Sequence, residues 1–318
     1  MIKIWIIAGL LCLAQQSQAA IDRNRSAPLK EAVVAVIDTG TDTSHSALKQ
    51  YIWLNEGESG RDSLGRDKAT NKIDDDDNGF VDDIHGWNFV ENNNDVTDNI
   101  GHGTHISGII KSEFNSRMPA SGAAELKLMI LKYYDAGSTD KQNIENTVKA
   151  IEYATRMGAR IVNYSGGGSL PSLSERHAIE GARDRGITFI AAAGNNRMNT
   201  DYQKYFPANY ALDNIISVAA TGSDGVLESF SNFGEKSVDL AAPGKSVYST
   251  LPHNAYGFLS GTSQATAFVT GAAARLIADS AEPILPQPLL AELLAGSRFN
   301  KSLLGKTKFQ LAMAGGPK

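Results

Sequence analysis

The feature that most constrains the fold of this chain is a regular alternation of short apolar segments with amphipathic ones, which begins at residue 32. Short uninterrupted apolar runs are typical of strands that are buried on both faces of a sheet. The candidate strands span residues 32–37, 126–134, 159–165, 187–193 and 214–220. Amphipathic helices are predicted between them, at roughly 103–112, 141–157 and 173–185. Because strands joined by helices form a parallel sheet with helices on both faces, the pattern predicts a single α/β domain.

Length and composition fit one large globular domain or two small ones, and they exclude several classes of function. A chain of 318 residues with 42% hydrophobic residues can bury one large core. The formal net charge is −5, and no basic field that would attract nucleic acid or anionic lipid is present. Cys12 is the only cysteine and lies in a segment that we expect to be removed. Disulfides, thiol catalysis and cysteine-ligated zinc are therefore excluded for the mature protein.

Residues 1–19, MIKIWIIAGLLCLAQQSQA, have the pattern of a secretory signal peptide. Lys3 gives a positive head, an apolar run follows from Ile4 to Ala14, and the small residues Ser17 and Ala19 suit cleavage after Ala19. The apolar run is shorter than the about 20 residues that span a bilayer. We therefore predict a secreted protein, periplasmic or extracellular, without a membrane anchor after cleavage.

Four polar residues stand where a predicted strand ends or a helix begins: Asp38 in DTGTD, His102 in GHGTHISG, Asn195 in AAAGNN and Ser263 in GTSQATAFVTG. Each has a local structural explanation, because these residue types also form turns and helix starts. His105 lies one turn after His102, but a zinc site there is disfavoured because the pair lacks the H-E-x-x-H arrangement. In parallel sheets, functional residues gather beyond the carboxyl ends of the strands.

Acyl-transfer chemistry explains the aspartate, the histidine and the serine together. A serine hydroxyl becomes a strong nucleophile when a histidine takes its proton, and a carboxylate orients the histidine and stabilises the imidazolium. The order Asp38, His102, Ser263 along the chain is that of subtilisin, and it differs from the orders in chymotrypsin and the α/β-hydrolases.

The motifs resemble the signature segments of the subtilisin-like serine proteases, the subtilases. They are VAVIDTGTD, GHGTHISG, IVNYSGGG, AAAGNN and LSGTSQATAFVTGAAARL, and the similarity covers about residues 32–280. The resemblance implies a three-layer α/β fold with a mostly parallel central sheet and helices on both faces. It leaves residues 20–31 as a short N-terminal segment without a recognisable prodomain, and residues 281–318 as a closing helix, Pro288 to Leu294, and a tail.

The resemblance also implies a role for each catalytic residue. Ser263 would attack the scissile carbonyl, His102 would act as base and then as acid, and Asp38 would orient His102. Asn195 would donate its side-chain amide to the tetrahedral oxyanion, together with the backbone N–H of Ser263. The reaction would be peptide-bond hydrolysis through an acyl-enzyme by a monomeric serine endopeptidase, with no cofactor in the chemistry.

The substrate-binding residues implied by the resemblance are Ser165, Gly166, Gly167, Ala193 and Gly194. Ser165–Gly167 would pair with an extended peptide as an added β-strand, and the glycines would let its main chain approach closely. Together with the AAAG segment at 191–194, this edge would wall the pocket for the residue before the cut. The expected partners are therefore protein or peptide substrates.

The acidic stretch NKIDDDDNGFVDD, residues 71–83, is a candidate site for a structural calcium ion. The predicted ligands are the side chains of Asp74, Asp76, Asn78 and Asp82 and the backbone carbonyl of Phe80. Their spacing matches the first part of a D-x-D-x-[DN]-G calcium loop. His85 stands where an EF-hand has glutamate, so the expected site is not of EF-hand type. A solvated acidic loop is the alternative.

Two other functions stay open at this level. One is a binding protein on a subtilase fold whose triad is retained but occluded, and the other is an esterase-type acyl hydrolase with the same triad. The intact Asn195 and the glycine-rich edge disfavour the first. The absence of a G-x-S-x-G motif disfavours the second. Gln264 replaces the methionine that usually follows the nucleophile in the family, and we expect activity to survive this change.

Overall fold

The computed structural model describes residues 31–117 and 124–314. The predicted signal peptide, residues 1–19, and the N-terminal segment up to residue 30 lie outside this part of the chain. Within the described ranges, no helix is both long enough and apolar enough to cross a membrane.

A nine-stranded sheet forms the centre of the fold. Its strands are β1 (Glu31–Asp38), β2 (Gly86–Asn88), β3 (Glu125–Lys132), β4 (Ile161–Tyr164), β5 (Thr188–Ala192), β6 (Ile215–Thr221), β7 (Leu240–Pro243), β10 (Arg298–Phe299) and β11 (Leu311–Ala312). They lie in the order β10–β11–β7–β6–β5–β4–β1–β3–β2, and every neighbouring pair is parallel except β10–β11. Two further strands, β8 (Val247–Leu251) and β9 (Ala255–Leu259), form an antiparallel hairpin. The predicted α/β class with a mostly parallel sheet is confirmed.

Helices cover both faces of this sheet. The α-helices are α1 (His102–Ser116), α2 (Asp140–Arg156), α3 (Leu173–Asp184), α4 (Thr262–Asp279) and α5 (Pro286–Ala295). Alternate residues of β1 contact different layers: Val34 and Val36 lie in the apolar core with α1 and α4, whereas Ala35 and Ile37 lie in the core with α2 and α3. The strand is apolar throughout because both of its faces are covered.

The five strands predicted from apolar runs are β1 and β3–β6, and they occupy adjacent positions in the sheet. Because β1, β4 and β5 run parallel, with Ile37 paired to Tyr164 and Tyr164 to Ala191, their carboxyl ends meet at one edge. Asp38 ends β1, Ser165 follows β4 and Ala193 follows β5. The fold therefore brings three of the predicted segments to the same edge of the sheet.

The C-terminal region adds a helix and two short strands to the domain. The helix predicted from Pro288 to Leu294 is α5, which begins at Pro286 and ends at Ala295. Beyond it, β11 pairs in parallel with β7, and β10 pairs with β11 in the antiparallel sense. The described part of the predicted tail thus forms one border of the central sheet.

Candidate active site

Asp38 and His102 form a close hydrogen-bonded pair at the carboxyl edge of the sheet. His102 is the first residue of α1, and its Nδ1 lies 2.7 Å from Oδ1 of Asp38. A carboxylate only accepts, so Nδ1 carries the proton and Nε2 is left as the basic nitrogen. The backbone N–H of Thr39 also donates to Asp38 Oδ1, at 2.8 Å, which fixes the carboxylate. This is the arrangement that a histidine base requires.

The electrostatic surroundings of His102 favour its protonated form. Burial lowers the pKa of this imidazole, but the charge of Asp38, the hydrogen bond to Asp38 and the charge of Asp98 raise it by more. The net effect is a pKa above the ordinary histidine value. The carboxylates of Asp38 and Asp98 therefore stabilise the imidazolium that forms when His102 takes a proton from a nucleophile.

Asp98 binds the first turn of the helix that begins at His102, and it was not among the residues predicted from the sequence. This buried carboxylate accepts hydrogen bonds from Thr39 Oγ1 and Gly101 N, both at 2.8 Å, through one oxygen. Its other oxygen accepts from Thr104 N at 2.8 Å and Thr104 Oγ1 at 2.7 Å. Asp98 therefore caps the start of α1 and holds it against the residue that follows Asp38. An acid four positions before a histidine that opens a helix is the signal that could have found it.

Ser263 is the second residue of α4 and is buried next to the end of β4. Its hydroxyl donates to the backbone carbonyl of Ser165, at 3.1 Å. Ser165 also lines a cavity of about 280 Å³ that is shared with Asp38 and His102. Among the described residues, no hydrogen bond joins Ser263 Oγ to His102. The serine–histidine hydrogen bond of an acyl-transfer triad is thus not formed in this state.

Asn195 is held through its carbonyl oxygen, and its amide nitrogen has no hydrogen-bond partner among the residues that the structure describes. Its Oδ1 accepts hydrogen bonds from the backbone N–H of Thr262, at 2.9 Å, and from Thr262 Oγ1, at 3.0 Å. Only a carbonyl oxygen can accept both bonds, so the exposed end of the amide is the NH₂ group. Thr262 Oγ1 also accepts from Gly194 N at 3.1 Å, which ties the end of β5 to the start of α4. A free donor therefore stands beside the first turn of the helix that carries Ser263.

The predicted substrate edge, Ser165–Gly167, continues β4 beyond the sheet. Gly168 forms a bridge with Phe206, in which the two backbones exchange hydrogen bonds of 2.9 and 2.7 Å. On the side of Gly166 and Gly167 lies a cavity of about 430 Å³, whose walls include Tyr134 and Glu175. The structure thus places the predicted edge along an open groove.

His105, one turn after His102, has a structural position. The ring is buried, and its Nε2 lies 3.1 Å from the carbonyl oxygen of Val247 and 3.3 Å from that of Gly257. Burial lowers the pKa of this histidine. His105 therefore joins α1 to the β8–β9 hairpin in its neutral form.

The acidic loop brings together some of the predicted calcium ligands. Carboxylate oxygens of Asp74, Asp76 and Glu58 lie within 4.8 Å of one another. Asn78 lies beside them, and its backbone N–H donates to Asp74 Oδ1 at 3.0 Å and to Asp76 Oδ1 at 3.2 Å. The carboxylate of Asp82 instead accepts from the backbone N–H of Lys72, at 3.1 and 3.2 Å.

Phe80, the predicted carbonyl ligand, anchors the loop through its side chain. Its ring centroid lies 5.0 Å from that of Trp87 and 4.9 Å from that of Tyr153, in edge-on contacts. Its backbone N–H donates to Asn78 Oδ1 at 2.8 Å. These contacts attach the acidic loop to the core beneath α2.

Glu58 was not among the predicted ligands, although its position suits a cation best. It is fully buried, its Oε1 accepts from Asp75 N at 2.7 Å, and its Oε2 has no hydrogen-bond partner within the described ranges. Burial and the neighbouring carboxylates of Asp83, Asp76 and Asp75 raise its pKa to about 7. A buried carboxylate oxygen without a partner costs free energy unless a proton or a cation is beside it. A cluster of carboxylate oxygens is the donor set that calcium prefers.

Comparison with known proteins finds relatives that match most of the chain. A family model described as "Subtilase family" matches residues 30–296. The chain is 36% identical over 247 residues to "Thermitase" from Thermoactinomyces vulgaris, which covers 77% of this chain and 74% of that protein. It is 34% identical over 247 residues to "Major intracellular serine protease" from Bacillus subtilis (strain 168), covering 77% and 68%.

Another relative is longer than this chain. The "Thermophilic serine proteinase" from Bacillus sp. (strain AK1) is 34% identical over 228 residues, which cover 71% of this chain and 54% of that protein. Among solved structures, that of "a cold adapted subtilisin-like serine proteinase" superposes with a TM-score of 0.65 at 25% identity, covering 94% of both chains. The similarity therefore extends over nearly the whole described fold.

Proposed function

The chain belongs to the subtilase family, and we propose that it is a serine endopeptidase that hydrolyses peptide bonds through Asp38, His102 and Ser263. The observation that carries the proposal is the 2.7 Å hydrogen bond between His102 Nδ1 and Asp38 Oδ1. It leaves Nε2 as a base in the cavity that Ser165 also lines, and Ser165 accepts the hydrogen bond of Ser263. The free amide of Asn195 supports the same chemistry.

In the proposed reaction, the hydroxyl of Ser263 turns from Ser165 to His102 when substrate binds. His102 Nε2 takes the proton as Ser263 Oγ attacks the scissile carbonyl, and Asp38 stabilises the imidazolium. The negative oxygen of the tetrahedral intermediate accepts hydrogen bonds from the Asn195 amide and from Ser263 N–H. His102 then protonates the leaving amine, and water enters to hydrolyse the acyl-enzyme in the same way. None of these steps needs a cofactor.

Protein or peptide chains are the proposed substrates. An extended peptide can pair its backbone with the edge at Ser165–Gly167, which continues β4 and borders an open groove. Main-chain recognition of this kind favours a peptide over a small ester, because an ester offers no strand to pair.

A serine-directed fluorophosphonate tests the proposal directly. We expect it to label the purified mature protein, and we expect Ser263→Ala to abolish both the labelling and the digestion of casein. The exposed Ser260 provides a matched control three residues earlier, and Ser260→Ala should be labelled like the wild type. Failure of the wild-type protein to react would contradict the proposal and favour a binding protein with an occluded triad. Labelling together with cleavage of short-chain esters, but not of casein, would indicate an esterase.

We also propose that the protein is exported, on the strength of the signal-like pattern of residues 1–19. One relative is named as an intracellular protease, so membership of the family alone does not decide the compartment. Mass spectrometry of the protein from intact cells and from their periplasm and medium tests this. An N-terminus at Ala20 in an exported fraction is the expected result, and an intact Met1 in the cytoplasm would contradict it.

Finally, we propose that Glu58, Asp74 and Asp76 bind a structural calcium ion. The proposal is supported by the closeness of their carboxylates and by the unpartnered buried oxygen of Glu58. Calcium would neutralise this cluster and stabilise the insertion between Asp38 and His102. It would have no part in the chemical step.

A further inference from the structure

We infer that Tyr205 closes the pocket for the substrate side chain that precedes the scissile bond, and so restricts cleavage to sites after small residues. This inference rests on the proposed peptidase function. It concerns a loop residue that the sequence motifs do not mark.

The position of that substrate side chain follows from the groups that surround Ser263. On one side, Ser263 Oγ is 3.1 Å from the carbonyl oxygen of Ser165. On the other, Thr262 binds both Asn195 and Gly194. In the proposed complex, a peptide paired with the edge at Ser165–Gly167, with its scissile carbonyl oxygen directed to the Asn195 amide, would project this side chain between the ends of β4 and β5. These strands are neighbours in the sheet.

The ring of Tyr205 already lies between these two walls. A β-carbon at Gly167 would be 2.5 Å from Tyr205 Cε1 and 2.9 Å from its Cζ. A β-carbon at Gly194 would be 3.0 Å from the same Cζ and 3.1 Å from Cδ1. One aromatic ring is thus in contact with the backbone of both segments. It occupies the space that a large substrate side chain would need.

The backbone on both sides of Tyr205 is well anchored. Its N–H donates to Asn209 Oδ1 at 2.9 Å, and the Asn209 amide donates to the carbonyl of Thr200 at 3.1 Å. The next residue, Phe206, exchanges two backbone hydrogen bonds with Gly168. Withdrawal of this segment from the groove would break these bonds, and the contacts with Gly167 and Gly194 on two sides restrict the ring, which therefore acts as a fixed floor.

A fixed floor favours alanine, serine or glycine before the cut and excludes phenylalanine or leucine. One methylene in a pocket changes kcat/KM by roughly 10–200-fold, so a whole benzyl group that has no space should be rejected by at least about 100-fold relative to a methyl group.

The test uses peptides that are identical except for Ala, Leu or Phe before the scissile bond. The wild type should cleave the Ala peptide at least about 100 times more efficiently than the Phe peptide. Tyr205→Ala should raise the Phe-to-Ala ratio of kcat/KM by about 10-fold or more, because it empties the pocket. The matched control is Tyr205→Phe, which keeps the ring and should keep the wild-type preference.

Cleavage of the Phe or Leu peptide by the wild type at the rate of the Ala peptide would overturn the inference. An unchanged ratio in a folded, fluorophosphonate-reactive Tyr205→Ala variant would also overturn it. Should that variant not fold, mapping the fragments of casein cut by the wild type still decides: small residues before the cuts support the inference, and large residues refute it. Fluorophosphonate labelling of Ser263 separates each result from a failure of the peptidase proposal.

Discussion

Removal of calcium should lower the melting temperature of this protein by roughly 5–10 °C. The perturbation acts on the three carboxylates of Glu58, Asp74 and Asp76, which lie within 4.8 Å of one another. Without a cation they repel each other, and Glu58 keeps a buried oxygen that no residue described by the structure hydrogen-bonds. The loop that carries Asp74 and Asp76 is held to this segment by the bond from Asp75 N–H to Glu58 Oε1 at 2.7 Å and by the bond from Asn55 Nδ2 to Asp76 Oδ2 at 3.0 Å.

The size of the effect follows from mass action. A ligand present at 100 times its dissociation constant, and bound only by the folded state, stabilises that state by about 2.7 kcal/mol. In a domain of this size, 1 kcal/mol shifts the melting temperature by roughly 2–4 °C. Multiplying this stabilisation by the change in melting temperature per kcal/mol gives the expected rise in melting temperature. The rise should grow with the logarithm of the calcium concentration.

The assay is thermal unfolding of an inactive Ser263→Ala protein, which avoids self-digestion, in excess calcium and in excess chelator. Glu58→Gln is the sharpest variant, because Gln retains an acceptor for Asp75 N and removes the charge at the unpartnered oxygen. It should abolish the response to calcium. Asp77→Asn is the matched control, since Asp77 is an exposed acid of the same run outside the cluster. Equal melting temperatures with and without calcium, or a full calcium response in Glu58→Gln, would refute the reasoning.

Four further outcomes are expected at and beside the proposed catalytic residues. Asp38→Asn should lower kcat by about 10⁴-fold with little change in fold, as judged by circular dichroism, because His102 loses its orienting carboxylate. Since the pKa of His102 is raised above its ordinary value of 6.5 and only the neutral imidazole is a base, kcat/KM should rise with pH through a midpoint above that value. Asp98→Asn should move this midpoint to lower pH, as it removes a charge that raises the pKa; an unmoved midpoint contradicts the role assigned to Asp98. Asn195→Ala should reduce kcat by about 10²–10³-fold and leave KM nearly unchanged, which steady-state kinetics would show.

The central sheet could be predicted, and the catalytic residues proposed, because each depends on a local pattern. A strand covered on both faces is apolar at every position, as in the run Val34 to Ile37, and this leaves an uninterrupted signal in the sequence. The parallel order then brings the ends of such strands to one edge, so Asp38 and Ser165 are neighbours despite their separation along the chain. The functional assignment needed only the residue types at those ends.

Glu58 and Asp98 could not be predicted in this way, because their roles arise from tertiary contacts. Glu58 is one acid among many in a polar insertion, and only its burial beside Asp74 and Asp76 distinguishes it. Asp98 looks like an ordinary helix cap until Thr39 is found against it. The spacing of the acidic run predicted that Asp74 and Asp76 lie close together, and their carboxylates do, whereas the carboxylate of Asp82 accepts from Lys72 N–H instead.

The contrast between Ser263 and Tyr205 shows why chemistry is easier to read from this sequence than specificity. Ser263 must begin a helix beside Asn195, and small residues must follow so that α4 can be buried, so its surroundings constrain a continuous stretch of sequence. Tyr205 needs only to place one ring against Gly167 and Gly194, which belong to two other segments of the chain. Nothing adjacent to Tyr205 in sequence records those contacts. A change at this single position could therefore alter which peptide bonds are cut while every catalytic motif remains the same.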